Sequence, residues 1–298
     1  MVKPSISFLG AGRLARALAP ALKKRGYTID EIVVRSRTTS RKTTLALATA
    51  VSAKIKTLNK AGLSSAVLWF CVPDDVITPL ATELSNSRNW AGKIVFHSSG
   101  ALPSSALSYL RIQGASVASV HPMMTFAEAS VPLPSGIAFG VEGDAKAVSV
   151  ANRIIRDVGG IKISLQEGNK ALYHLMGTFS SPLVVALLAA AEQLGRAAHL
   201  SRASTRNAIK PLLEATIQNY LRYGLGAAFT GPVRRGDLKT LEMHLAVLEK
   251  QPLLLGVYCS LLGIATHELP ARRIKEIESI LRGAKKSSRA RNSQMLFT

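Results

Sequence analysis

The sequence predicts an α/β chain in which a doubly wound, mostly parallel sheet is followed by an all-α C-terminal domain. Three observations carry this. Short, continuously apolar runs alternate with helical stretches through the first half, the pattern of strands buried on both faces. A glycine turn, GAGRLA at 10–15, joins the first apolar run to the first helix. After Glu167 the strand-like runs stop and helical stretches fill the rest.

The elements follow in order. SISFL (5–9) reads as a strand, and the helix after it runs from Arg13 to Lys24, bends at Pro20 and stops at Gly26. Glu31 to Val34 is the second strand and Arg41 to Val51 the next helix. KIKTL, AVLWFCV (66–72), KIVFHSS (93–99), SVASVHP (116–122) and IAFGVEG (137–143) continue the strands. A helix from Ala145 to Val158 and the strand IKISL (161–165) close the series. Residues 1–165 are therefore expected as one domain and 166–283 as a helical one. The small, polar, basic stretch 284–298 is expected as a mobile tail.

Charge narrows the function. The 298 residues carry a net +20, and the first fifty hold ten Lys and Arg against Asp30 and Glu31 alone. Such a balance calls for an anionic partner. Nucleic acid is the weaker reading, because zinc-ligand spacings and RNA-binding motifs are missing and aromatics make up only 5% of the chain. No metal site is expected. Cys71 and Cys259 read as buried thiols in a reducing compartment. The longest apolar run, Pro182 to Ala191, is about half a membrane span. The expectation is a cytoplasmic protein with no membrane partner.

GAGRLA has the GxGxxA form, and each position has a physical task. Gly10 makes the tight turn, Gly12 lets backbone approach a pyrophosphate, and Ala15 lets helix and strand pack closely. The free N–H groups that open the helix, at Arg13 and Leu14, favour an anion. About 20 residues on, the second strand ends in Arg35-Ser36-Arg37. There this fold reads the adenine ribose, and a carboxylate would select NAD. Guanidinium forks with a hydroxyl between them suit a 2′-phosphate, so the cofactor expected is NADP. Arg41 and Lys42 stay unassigned. Val72 and Pro73, at the end of the fourth strand, are expected along the cofactor, while one of Asp74 and Asp75 is expected to cap the following helix.

Other strand ends offer chemistry. Ser98 and Ser99 could hold a substrate or the nicotinamide amide, or simply cap a turn before Gly100. His121, held by Pro122, is a candidate acid/base, with a structural histidine as the alternative. Lys170 and His174 stand one helical turn apart in GNKALYHLMG, where a cation and a titratable ring could serve hydride transfer. An exposed first turn is the alternative. Pro182 should break that helix. In TGPVRRGDLK, Asp237 should cap a helix, and Arg235 could anchor an acidic substrate or make an ion pair.

The chain resembles the Rossmann-like NADP-binding oxidoreductases that carry a helical C-terminal domain of unknown function. These are relatives of ketopantoate reductase, pyrroline-5-carboxylate reductase and the β-hydroxyacid dehydrogenases. GAGRLA, VRSR, FCVPDDVI, FHSSGAL, VHPMMTF, KALYH and TGPVRRGD occur in the expected order over nearly the whole chain. The resemblance places Lys170 at the catalytic lysine of the β-hydroxyacid dehydrogenases, whereas His174 stands where those enzymes have asparagine. His121 matches more loosely the histidine of an HP-M motif in prephenate dehydrogenases. The resemblance also implies a homodimer joined through the helical domain, to which Leu183–Leu188 is suited. The function expected is NADP(H)-dependent hydride transfer at a C=O or C=N carbon of a small, acidic metabolite. A non-catalytic NADP-binding sensor is the alternative.

Overall fold

The computed structural model describes residues 2–35, 41–126 and 132–295. They gather into two compact units, 1–184 and 185–298.

The first unit is built on one eight-stranded sheet. Its elements in chain order are β1 (Ile6–Leu9), α1 (Arg13–Lys24), β2 (Ile29–Val34), α2 (Arg41–Val51), β3 (Lys54–Thr57), β4 (Val67–Phe70) and α3 (Asp74–Ser85). There follow β5 (Ile94–His97), α4 (Ser108–Ile112), β6 (Ser116–Pro122), β7 (Ala138–Gly143), α5 (Ala145–Asp157), β8 (Ile161–Ser164) and α6 (Lys170–Ser180). The strands lie in the order β3-β2-β1-β4-β5-β6-β7-β8, and every neighbouring pair is parallel except β6 and β7. The order reverses direction between β1 and β4, which opens a crevice at their carboxyl ends.

Alternation along the strands sends side chains to two cores. Phe8, Trp69 and Phe96 sit opposite one another on β1, β4 and β5 and pack with α1, α2 and α5. Their rings touch, Phe8 stacked on Trp69 at 5.9 Å and Trp69 edge-on to Phe96 at 5.1 Å. Leu68, Phe70 and Val95 point the other way, into a core with α3 and α4. Burial of such aromatic and aliphatic side chains supplies most of the driving force.

Compactness carries the first unit beyond 165, where the strands end, because Lys170 and Tyr173 of α6 are both buried in it. Ser181 (φ −136°, ψ −80°) breaks the helix before Pro182, and α7 (Pro182–Ala197) follows. Together Glu167–Ala197 is long and apolar enough to cross a membrane by length and composition, more than Pro182–Ala191 alone suggested. The added length is α6 with its exposed Leu172, Met176 and Phe179. That helix is fastened to the sheet, as described below.

The second unit holds α8 (Arg202–Ala228), α9 (Pro232–Arg235), α10 (Leu238–Leu248), α11 (Pro252–Glu268) and α12 (Ile274–Met295). Gly224 (φ 76°, ψ −178°) interrupts α8. Leu241, Leu245, Cys259, Leu262, Ile277 and Leu281 form its core. Asp237 caps α10 as expected, accepting from the Thr240 N–H at 3.3 Å. The helix α12 continues into the stretch expected to be a tail.

Candidate active site

A cavity of about 520 Å³ opens where the strand order reverses. Gly10, Ala11 and Gly12 line it from the β1–α1 turn, Val34 and Arg35 from the end of β2, and Val72 and Pro73 from the end of β4. Gly10 has φ +108°, and a Cβ there would stand 2.3 Å from the Cys71 carbonyl oxygen. Its N–H donates to the Val33 carbonyl at 2.8 Å, so the turn is tied to β2. Gly12 precedes α1, whose first turn carries no acid, and Ala15 is fully buried beneath it. The N-terminus of α1 is thus open to an anion. Arg13 is exposed and Leu14 packs on the core; neither side chain lines the cavity.

At the end of β2, Arg35 is exposed and faces the cavity. Ser36 and Arg37 lie outside the described residues. The two preceding acids are committed elsewhere. Glu31 accepts from the Gly62 and Leu63 N–H groups (3.1 and 2.9 Å), and Asp30 accepts from the Ser65 hydroxyl. Neither carboxylate stands where a ribose diol would be read.

The residues fit a dinucleotide phosphate on structural grounds. Buried Arg16 Nε and Thr44 Oγ1 have no hydrogen-bond partner, and both residues line this cavity. A buried donor without a partner is costly, and an anionic oxygen would satisfy it.

A second cluster forms at the carboxyl ends of β5 and β6, under α6. Lys170 is 1% exposed. Its ammonium donates to the Ser99 carbonyl at 2.8 Å and to Ser119 Oγ at 2.6 Å. Burial lowers its pKa to about 8, opposed by the nearby carboxylates of Glu142 and Asp74. Among the described residues no carboxylate reaches it within ion-pair distance.

Tyr173, three residues on and therefore on the same helix face, accepts from the Gly140 N–H at 3.0 Å. Its ring lies where a Cβ on Gly140 would be, 2.5 Å from Cζ. His121 is edge-on to Tyr173 (5.7 Å) and to His174 (6.1 Å). His121 Nδ1 is buried and unpartnered. Burial, then the charge of Lys170 and then His174, lower its pKa to about 4, so it is neutral at pH 7. His174 is exposed. Both rings crowd over Gly100, where a Cβ would stand 2.4 Å from His174 Cδ2 and 2.9 Å from His121 Nε2.

The structure thus brings Lys170, His121 and His174 together, but with different faces. The histidines border the space above Gly100, while Lys170 points inward and holds β5 to β6. The two serines are taken up by protein partners. Ser98 Oγ accepts from Trp69 Nε1 at 2.7 Å, and Ser99 Oγ donates to Asp74 Oδ2 at 2.7 Å while accepting from the Leu102 N–H at 2.9 Å. Asp74 and Asp75 were expected to supply a helix cap. Instead Pro73 occupies the cap position with no side-chain bond, and both acids sit in the first turn of α3. Asp74 is drawn off by the Ser99 hydroxyl. Arg235 lies exposed at the end of α9 in the second unit, where its charge acts on Asp237.

Sequence reasoning missed Ser119, Tyr173, Asp74 as an acceptor, Glu142 and Arg16. A signal existed for two of them. Ser119 shares a strand face with His121, and Tyr173 shares a helix face with Lys170.

Comparison with known proteins divides the chain differently from its compact units, because the second match begins inside the sheet. Residues 5–97 match the family model described as NADP oxidoreductase coenzyme F420-dependent. Residues 137–263 match a Domain of unknown function (DUF2520). The chain joins an NADP-oxidoreductase Rossmann domain to a DUF2520 domain. Solved structures agree over nearly its full length. A Thermotoga maritima protein is 26% identical with a TM-score of 0.67, covering 95% of this chain and 99% of that one. A Bacteroides fragilis protein assigned as an NADP oxidoreductase is 20% identical with a TM-score of 0.67, covering 95% and 98%. A pyrroline-5-carboxylate reductase from Coxiella burnetii is 17% identical with a TM-score of 0.55, covering 96% and 98%. At below 25% identity the last two speak for the fold alone. No curated protein matches the chain. The glycine turn and the Arg35 strand end of this cavity both lie within the residues that match the NADP-oxidoreductase model.

Proposed function

We propose that this chain is an NADP(H)-dependent oxidoreductase acting at a C=O or C=N carbon of a small, acidic metabolite. The observation that carries the reading is the pairing of an anion-ready dinucleotide cavity with two histidines crowded over Gly100 at the next strand ends in the same unit. The C=N option is the chemistry named for two proteins that share this fold, an imine reductase from Myxococcus stipitatus and the pyrroline-5-carboxylate reductase.

Bound NADPH supplies the hydride; the chain's residues manage position and protons. Gly10, Gly12 and the α1 N-terminus would hold the pyrophosphate, and Arg35 with Ser36 and Arg37 the 2′-phosphate. His121, neutral at working pH, presents a single N–H and can donate to a developing oxyanion or amine without carrying charge. His174, exposed beside it, is placed to exchange a proton with solvent. Lys170 acts as a positioning residue. It fixes the Ser99 carbonyl and the Ser119 face of β6, and its charge adds to the burial that keeps His121 neutral. The excess of basic residues supports an acidic substrate.

The test is kinetic. His121→Asn and His174→Ala should each lower kcat on an identified substrate by about 10²-fold or more, the usual worth of a positioned acid/base, while the NADPH dissociation constant stays within about threefold. Unchanged kcat in both variants would remove these histidines from the chemistry.

A homodimer belongs to the same proposal. In α6 and α7, Phe179 and Val185 are 56% and 64% exposed, and Leu221 and Leu225 of α8 are 68% and 60% exposed. Apolar surface of this extent calls for a protein cover. Sedimentation velocity should give twice the chain mass, shifting to one chain mass in Leu221→Glu; a wild-type monomer at micromolar concentration would exclude the dimer. Cys71 and Cys259, which form no disulfide among the described residues, support a reducing, cytoplasmic setting.

A further inference from the structure

The strand-end arginine does not account for every cation at the cofactor cavity. Arg16 stands four residues after Gly12, one turn into α1, and its side chain lines the cavity together with Arg35. Helical side chains lean toward the N-terminus, which carries this guanidinium back over the first turn. Its Nε is buried and makes no hydrogen bond, and it forms no ion pair among the described residues. Glu83, the one acid among the lining side chains, is exposed on α3 and leaves Arg16 uncompensated.

Thr44 supplies an independent observation. It lies on α2, which packs against α1, and it is 4% exposed. Its hydroxyl is likewise buried without a partner and lines the same cavity. Two unsatisfied polar groups, from two adjacent helices, thus converge on one cavity beside the end of β2. A covered guanidinium nitrogen is satisfied when an anion pairs with it, and a threonine hydroxyl lining the same cavity adds a second donor of the phosphate-binding type. The α1 N-terminus already serves the pyrophosphate. The α1–α2 side, next to Arg35, is where the adenosine ribose faces in this fold.

We infer that Arg16 and Thr44 form the inner wall of the 2′-phosphate socket, so that NADP selectivity is set from α1 and α2 as well as from the β2 end. The inference rests on the NADP(H) reading and deepens it. Arg16 matters most, because it is half-buried with its Nε covered, whereas Arg35 is exposed and more strongly screened by water and salt.

The experiment uses the full chain and four ligands. NADPH and NADH are titrated by nicotinamide fluorescence, and 2′,5′-ADP and 5′-ADP by their shift of the melting temperature. In Arg16→Gln, NADPH and 2′,5′-ADP should bind about 10- to 100-fold more weakly, the worth of one charge-assisted contact, while NADH and 5′-ADP change by less than about threefold. Thr44→Val removes an unpaired buried hydroxyl at constant shape. It should leave the ligand-free melting temperature equal or higher, yet shrink the shift given by 2′,5′-ADP. If the wild type prefers NADPH and Arg16→Gln keeps that preference in full, the inference fails. It fails equally if all four ligands weaken together, since Arg16 would then serve the pyrophosphate. A wild type that does not distinguish NADPH from NADH refutes the NADP reading beneath it.

Discussion

Gly10→Ala should both destabilise the protein and abolish NADPH binding. The alanine would sit at φ +108°, outside the regions open to an L residue, at a cost of about 1–3 kcal/mol. Its Cβ would also stand 2.3 Å from the Cys71 carbonyl oxygen. That carbonyl cannot yield easily. Cys71 N–H donates to the Leu9 carbonyl and Gly10 N–H to the Val33 carbonyl, both at 2.8 Å, so relief must part β1 from β4 or β2. Overpacking adds about 1–3 kcal/mol. The sum is a large share of the about 5–15 kcal/mol that holds a protein folded. A melting temperature lower by about 10 °C is the expected readout, with no detectable NADPH binding. Gly12→Ala is the informative partner. Its φ is −68°, and a Cβ there would meet Cys71 O at an ordinary 3.7 Å. It should fold with a near-normal melting temperature and still lose NADPH affinity, because the methyl occupies the phosphate approach. Wild-type affinity in Gly12→Ala would sink the cradle reading.

Lys170→Met carries the second large effect, and its sign depends on pH. The lysine is depressed to about 8 in the folded chain against about 10.5 unfolded. Between those values the unfolded chain binds the extra proton, so the stabilising contribution is fully present above about 10.5 and is lost as pH falls through about 8. At pH 7 the folded protein therefore bears the desolvation cost of the ammonium, offset by its bonds to Ser99 and Ser119. Methionine removes both terms at similar volume, and Ser119 Oγ still donates to the Ser99 carbonyl at 3.3 Å. Unfolding free energy at pH 7 should change by no more than about 1–2 kcal/mol in either direction. The rise in stability between about pH 8 and 10.5 should vanish. Activity should fall by about 10²-fold, and the decline of kcat/KM expected in the wild type above about pH 8 should disappear. A purely structural lysine would alter stability and leave the pH profile of kcat/KM in place.

The sheet was legible because continuously apolar strands such as LWF at 68–70 announce burial on both faces, and because Gly10 and Gly12 mark the turn. The helical second half was equally plain from the loss of such runs. Individual roles at the site were harder to read. Lys170 looked like an exposed first turn or a lining cation, since lysines are rarely buried. Its burial depends on Ser119, 51 residues away, and on the Ser99 carbonyl, which no local pattern reveals. Asp74 reads as a cap until the Ser99 hydroxyl, 25 residues on, claims its carboxylate. Gly100 and Gly140 look like turn or strand glycines. Their lack of a side chain makes room for the rings of His121, His174 and Tyr173. Arg16 sits on what reads as the polar face of α1, and only packing shows its Nε buried. Each of these is a long-range fact, whereas fold class follows from local pattern.

The central claim is hydride transfer from NADPH, and it is tested most directly by following loss of reduced-nicotinamide absorbance over a panel of cyclic imines and keto acids. The account predicts oxidation of NADPH by at least one member, faster than with NADH, and its loss in the His121→Asn, His174→Ala double variant. Tight NADPH binding with no turnover on any imine or keto acid would contradict it and leave a binding protein in place of an enzyme.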